Sequence, residues 1–171
     1  MRVIALVAAL ALAVAAGPAL AAPTAPAFTI RLLDGSGTLD SRNLIGKKVL
    51  VVRFQASWCK PCAAEAPAIE RTWQKYRPRG VEVVGIHVQD TAADARHFLR
   101  AQGATYPAGL DPHLAIAGRF GFKGTPYTVV VNKRGEVAER ISGRSSEARL
   151  TRALDVLLQE RPAHRPPPSL R

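Results

Sequence analysis

Cys59 and Cys62 fall in one run, Trp58-Cys59-Lys60-Pro61-Cys62, and the chain has no other cysteine. With every thiol committed to a single C-x-x-C pair, neither sulfur can join distant segments, so the chemistry is local. Two chemistries fit that spacing: reversible disulfide exchange, or half of a metal site. A metal site needs two further ligands. There is no second C-x-x-C, and His87, His97, His113 and His164 are neither paired nor spaced as ligands, so no metal is expected. Lys60 sets a positive charge beside one sulfur, and Pro61 suits a helix start and stiffens the loop; both favour redox work.

The elements that position the pair can be read around it. A β-branched run at 48–54 has the composition of a strand buried in a central sheet and leads straight into the motif. Beyond it, Ala63, Ala64, Glu65 and Ala66 favour helix, and Ile69, Trp73 and Tyr76 share a face until Pro78 and Gly80 stop the run. A strand entering a helix through the motif puts Cys59 at the helix N-terminus, where unpaired N–H groups and the dipole favour a thiolate. The two Cα atoms then lie within the roughly 4.4 to 6.8 Å that an unstrained disulfide accepts. Cys59 is expected to be the exposed nucleophile and Cys62 the shielded resolving thiol.

Elsewhere the pattern predicts a strand at 27–33, a turn at 34–37, a strand at 81–88, and a helix opened by Thr91 and ending near Gly103 with Phe98 and Leu99 inward. A short helix is expected over 111–120 with Pro112 at its start. A Gly- and Pro-marked loop at 121–126 feeds a strand at 127–131, a hairpin turn at 133–135 and a strand at 136–141. A closing amphipathic helix over 145–159 places Leu150, Leu154, Leu157 and Leu158 on one side. The order is that of an α/β domain with a mixed sheet and helices on both faces.

The ends read differently. Arg2, an apolar stretch at 3–16, Gly17-Pro18 and the Ala19-Leu20-Ala21 exit describe a secretory signal peptide over 1–21. The competing reading is an uncleaved anchor, since 3–22 is about as long as the ~20 apolar residues that a bilayer needs. Residues 22–26 then form a linker, 27–160 one domain, and 161–171 a proline-rich tail expected to be disordered. Export means a periplasmic or cell-envelope setting, where a thiol pair needs a partner to set its redox state. The formal charge of +11 comes mostly from arginines scattered singly, such as Arg31, Arg71, Arg96 and Arg149, without the basic stripe interleaved with aromatics that a nucleic-acid face requires. No nucleic-acid partner is expected.

The string Phe54-Gln55-Ala56-Ser57-Trp58-Cys59-Lys60-Pro61-Cys62-Ala63-Ala64-Glu65-Ala66-Pro67 resembles the active-site segment of thioredoxin-like proteins of the TlpA/ResA/DsbE group, which are exported disulfide reductases. Gly46-Lys47-Lys48-Val49, Val84-Gly85-Ile86, Tyr106-Pro107 and Phe120-Gly121-Phe122-Lys123-Gly124-Thr125-Pro126 resemble the same group in order, so the likeness covers about 28–158. It implies a thioredoxin fold with an N-terminal strand extension and a helical insertion. Thr125-Pro126 becomes a cis-proline loop facing the cysteines, where the Thr125 main chain pairs with an extended substrate segment. Trp58, read from its place before Cys59, is either a shield for the pair or an edge for substrate docking, with plain core packing as the alternative. Glu65 becomes a buried carboxylate that trades protons with Cys62. The implied partners are protein disulfides, a membrane-bound thiol electron donor and, for one subset, the cytochrome c maturation apparatus; the only redox group is the Cys59–Cys62 disulfide, with no cofactor.

Three residues depart from the group's pattern. Gln55 stands where the group has tryptophan, and Arg53 where it has asparagine. An inward Arg53 needs a carboxylate, for which Glu65 is the candidate, and a Glu65 so paired is compromised as a proton carrier. Tyr127 replaces the glutamate of the cytochrome-dedicated subset. The alternatives to a reductase are a disulfide-forming oxidase, since spacing does not fix a potential, and a copper- or haem-delivery protein using the thiols as ligands.

Overall fold

Every residue of β3 (Val49–Gln55) and β4 (Val81–Val88) is buried, the condition of central strands covered on both faces. The computed structural model describes residues 22–144 and 147–159; the expected signal peptide, the expected tail, residue 160, and residues 145 and 146, where the closing helix was expected to begin, lie outside them. The other strands are β1 (Thr29–Arg31), β2 (Thr38–Asp40), β5 (Ala108–Asp111), β6 (Tyr127–Val131) and β7 (Val137–Ser142); the helices are α1 (Lys60–Tyr76), α2 (Ala92–Ala101) and α3 (Glu147–Gln159). β3 lies parallel to β4 and antiparallel to β6 in a mixed sheet of order β5-β4-β3-β6-β7, while β1 and β2 form a separate antiparallel pair.

Strand alternation divides the central sheet between two cores. Val49 and Val51 join Val81, Val83 and Val130 against Ile69, Trp73 and Tyr76 of α1 and Leu150, Leu154 and Leu157 of α3. Leu50, Val52 and Phe54 point the other way, onto Phe28, Ile30, Ile116 and Phe120. That second face is therefore closed in part by the β1–β2 pair and the chain near 116–122. α2 begins where expected: the Thr91 hydroxyl accepts from the Asp94 N–H at 3.1 Å, satisfying a donor that the helix leaves open.

Three expectations need correction. Residues 111–120 do not form a helix. Asp111 ends β5, and its Oδ2 accepts the N–H groups of Ile116 at 2.9 Å and Ala117 at 2.8 Å, bending the chain so that only Ala117–Phe120 makes a 3₁₀ turn. The short strands β2 and β5 were not expected. β5 is four residues with Gly109 inside it, which weakens any strand signal; the glycine is required because a Cβ there would meet Ile30 Cγ1 at 2.4 Å and the Arg31 carbonyl at 2.5 Å. The segment 22–26 is not a linker. Ala25 is buried, its N–H donates to the Gly135 carbonyl, and the Val137 N–H donates to the Pro23 carbonyl, both at 2.8 Å. Backbone groups paired in this way make the segment part of the fold.

Candidate active site

At the C-terminal end of β3 the chain turns sharply: the Cys59 N–H donates to the Ala56 carbonyl at 3.2 Å, and Lys60 starts α1. Cys59 is extended (φ −86°, ψ 97°) and caps the helix, its Sγ accepting the Cys62 N–H at 3.2 Å. A sulfur thus occupies the place that an Asn, Asp or Ser oxygen takes in ordinary caps. Cys59 and Cys62 are disulfide-bonded with Cα atoms 5.2 Å apart. The expected contrast in exposure is nearly absent, because in the disulfide Cys59 is 4% and Cys62 1% accessible. Ala56, Ala66 and Phe98 pack over both. The asymmetry lies instead in the backbone, with Cys59 outside the helix and Cys62 in its first turn. Lys60 and Trp58 are exposed, no acidic residue stands in the first turn of α1, and the helix runs unbroken through Pro67.

The Thr125–Pro126 peptide bond is cis. β6 starts one residue later, and its register pairs Tyr127 with Phe54, so this loop lies at the sheet end where β3 delivers the cysteines. Pro126 is buried and Thr125 half-buried.

Arg53 does pair with Glu65. Its guanidinium donates to Glu65 Oε2 at 2.5 Å and to Thr128 Oγ1 at 2.9 Å, with Arg53 1% and Glu65 6% accessible. Glu65 stands three residues after Cys62, yet one carboxylate oxygen is committed to a buried cation. The proton-carrier role that the resemblance implies competes with this charge pairing.

Sequence reasoning missed a second polar group, built around His87 and Asp90. Gln55 and His87 face one another in the β3–β4 register and are fully buried. The Tyr106 hydroxyl donates to Gln55 Oε1 at 3.0 Å, Gln55 Nε2 meets His87 Nε2 at 2.9 Å, and His87 Nδ1 meets Asp90 Oδ2 at 2.9 Å. Gly85 makes room, since a Cβ there would come within 2.9 Å of both Gln55 Nε2 and Tyr106 Cε2. A partial signal was present in the sequence: a glutamine closes one largely apolar central run and a histidine falls near the end of the other.

Burial lowers the His87 pKa below its ordinary 6.5 and outweighs the opposing pull of Asp90. For Asp90, burial pushes the carboxyl up, but hydrogen bonds from Ser57 and His87 outweigh it and hold the group below its ordinary 3.8. Burial also pushes the Tyr106 phenol up to about 12, so it serves as a hydrogen-bond donor at neutral pH. For both His87 and Asp90 the unfolded chain takes up its proton at a higher pH than the folded one. Stability should therefore be full above about pH 6.5, fall through His87 as the pH drops below that value, and fall again through Asp90 below about pH 3.8. Urea midpoints measured from pH 7.5 to 5 should decline in the parent and decline less in His87→Asn. Equal slopes would remove His87 from the account.

The parallel strands flanking α1, the antiparallel β6 and β7, and a C-x-x-C pair capping the helix beside an X-Pro loop define a redox protein of the thioredoxin fold. The AhpC/TSA family model matches residues 22–140, and the chain belongs to that family. It is 34% identical over 141 residues to the thiol:disulfide interchange protein HelX of Rhodobacter capsulatus, covering 82% of this chain and 78% of that protein. It is 30% identical over 126 residues to the thiol-disulfide oxidoreductase ResA of Bacillus anthracis, covering 74% and 72%. Among solved structures, a thioredoxin-family thiol:disulfide interchange protein from Chlorobium tepidum TLS superposes with a TM-score of 0.73 at 28% identity, over 81% of this chain and 97% of that one. The protein is a thiol-disulfide oxidoreductase of the ResA and HelX type, with Cys59 and Cys62 as its pair.

Proposed function

We propose that the protein reduces disulfides of other proteins outside the cytoplasm. The observation that carries the direction is the burial of the oxidised pair, at 4% and 1% accessibility among Ala56, Ala66 and Phe98. Apolar cover favours a neutral disulfide over a dithiol that must carry negative charge to react, so the reduced protein gives up its electrons readily. The helix N-terminus opposes that cover, because its open N–H groups favour an anion at the Cys59 position.

In the reaction, the Cys59 thiolate attacks one sulfur of a substrate disulfide, forming a mixed disulfide and releasing the other substrate sulfur as a thiolate. The Cys62 thiolate then attacks Cys59 Sγ, which releases the second substrate thiol and closes the Cys59–Cys62 disulfide. Two electrons pass to the substrate, and a dithiol donor at the membrane restores the pair. Exposed Trp58 and the Thr125–Pro126 loop, both at the sheet end where the cysteines emerge, form the face on which an extended substrate segment lies. An extracytoplasmic setting is supported by the leader pattern at 1–21. No helix of the described residues is long and apolar enough to cross a membrane.

The test is the equilibrium potential of the Cys59/Cys62 couple in glutathione redox buffers. A reductant should lie well below about −200 mV, and a value near −120 mV would make the protein an oxidant instead.

A further inference from the structure

The residues leading to Cys59 are held more tightly than helix capping alone requires. Ser57 and Trp58, the central residues of the turn closed by Cys59 N–H and the Ala56 carbonyl, are both fastened to the turn that follows β4. Ser57 donates its N–H to Asp90 Oδ2 and its hydroxyl to Asp90 Oδ1, each at 2.7 Å. The Trp58 indole N–H donates to the Gln89 carbonyl at 3.2 Å, although the side chain is 58% exposed and water could serve instead. Gln89 itself sits at φ 48°, a left-handed conformation that a non-glycine residue keeps only where its surroundings over-determine it.

Asp90 supplies that determination. Its carboxylate accepts from the Ser57 N–H, the Ser57 hydroxyl, the Thr91 N–H at 3.0 Å and His87 Nδ1. A carboxylate only accepts, so Nδ1 carries the proton. Nε2 of the neutral ring is then the acceptor, Gln55 must present its amide N–H to it, and the Gln55 oxygen is left to the Tyr106 hydroxyl. One direction of donation thus runs from Tyr106 in the core to Asp90 beneath the active-site turn. The edge-to-face contact of His87 with Phe98, centroids 5.3 Å apart, holds the ring from the side of α2.

We infer that the Gln89–Asp90 turn clamps the loop carrying Cys59, and that His87, acting through Asp90, is a positioning residue for thiol–disulfide exchange. Exchange needs the attacking, central and leaving sulfurs nearly in line. Cys59 precedes the helix: its carbonyl accepts the Ala63 N–H at 3.1 Å, but its own N–H belongs to the turn at 56–59, so that turn shares in setting the direction of its Cα–Cβ bond. A misplacement of about 1 Å can slow a reaction by about a hundredfold. The clamp acts equally on attack in either direction, so the inference rests on exchange at Cys59 and not on the electrons running toward substrate.

Three variants test it, read by the rate at which fully reduced protein reacts with dipyridyl disulfide and by the Trp58 indole N–H resonance, assigned with Trp73→Phe. His87→Leu, similar in size but without polar atoms, should react about tenfold more slowly and shift that resonance. His87→Asn, which keeps an N–H donor toward Asp90, should return the rate to within about threefold of the parent and the resonance to near its parent position. Ser57→Ala, outside the core, removes one hydrogen bond worth about 1 kcal/mol and should slow the reaction about fivefold. The inference is overturned if folded His87→Leu stays within about twofold with its resonance unmoved, or if His87→Asn is as slow as His87→Leu. Should His87→Leu not fold, a Ser57→Ala rate within about twofold of the parent overturns it alone. An oxidising equilibrium potential would reverse the proposed physiological direction and leave these rates untouched.

Discussion

Replacing Cys62 with serine should turn the catalyst into a trap. Once Cys59 has joined a substrate sulfur, release depends on Cys62, whose Cα lies 5.2 Å away in the same helical start. A group held at that distance acts with an effective concentration on the order of 10⁵ M or more, which no external thiol approaches. Cys62→Ser should therefore accumulate protein-linked species that survive a non-reducing gel and collapse on reduction, whereas Cys59→Ser should be inactive and capture nothing. The opposite pattern, with capture by Cys59→Ser, would assign attack to Cys62. Accessibility does not prejudge this result, because both cysteines are covered in the disulfide; the assignment rests on Cys59 standing at the cap, outside the helix.

The second large effect concerns the Arg53–Glu65 pair. Glu65→Leu strips a nearly inaccessible guanidinium of its carboxylate, and breaking a buried pair from one side costs about 3–5 kcal/mol. Against a total stability of about 5–15 kcal/mol for a domain, this is enough to shift a urea midpoint far or to prevent folding at 37 °C. The double variant Arg53→Met/Glu65→Leu removes both charges, and most of that loss should return, because an apolar pair of similar volume avoids desolvating two ions. The double variant also separates two roles. If Glu65 serves to neutralise Arg53, exchange by the refolded double variant should stay within about threefold of the parent; a much slower rate with restored stability would identify Glu65 as the proton carrier. A single variant costing less than about 1 kcal/mol would show that the pair is not maintained in solution.

The sequence carried the redox pair and the central sheet because both depend on local signals. The thiols were confined to one C-x-x-C, a β-branched run preceded it, and helix formers with apolar residues at three- and four-residue spacing followed. Arg53 was legible as an anomaly, a charge at a central position of a buried strand, and the need to neutralise it pointed to Glu65. What escaped notice depended on contacts across the fold. β5 was hidden because its conformation is imposed by pairing with β4 and by the close approach of Ile30 to Gly109. The supposed helix at 111–120 looked plausible because Asp111-Pro112 is a good helix opening, but Asp111 spends its carboxylate on N–H groups five and six residues ahead. His87 has no ligand-spaced neighbour in the sequence, and only the β3–β4 register shows that it stands opposite Gln55. The glutamine that replaces the group's tryptophan is thereby explained, for it carries the hydrogen-bond chain between Tyr106 and His87.

The attachment of residues 23–25 to the β6–β7 turn fixes how the molecule can be moored. β3 runs from Val49 to Gln55, roughly 20 Å at the usual rise per residue, and the cysteines follow its far end. β6 runs back along it, pairing Tyr127 with Phe54 and Val131 with Leu50, so the turn after Val131 lies at the near end. Pro23 and Ala25 are hydrogen-bonded there. Whatever is joined to the chain ahead of Ala22, whether an anchor, a surface or a fused domain, departs from the pole opposite the disulfide. A molecule held by that end turns its redox face away from its support and toward arriving partners.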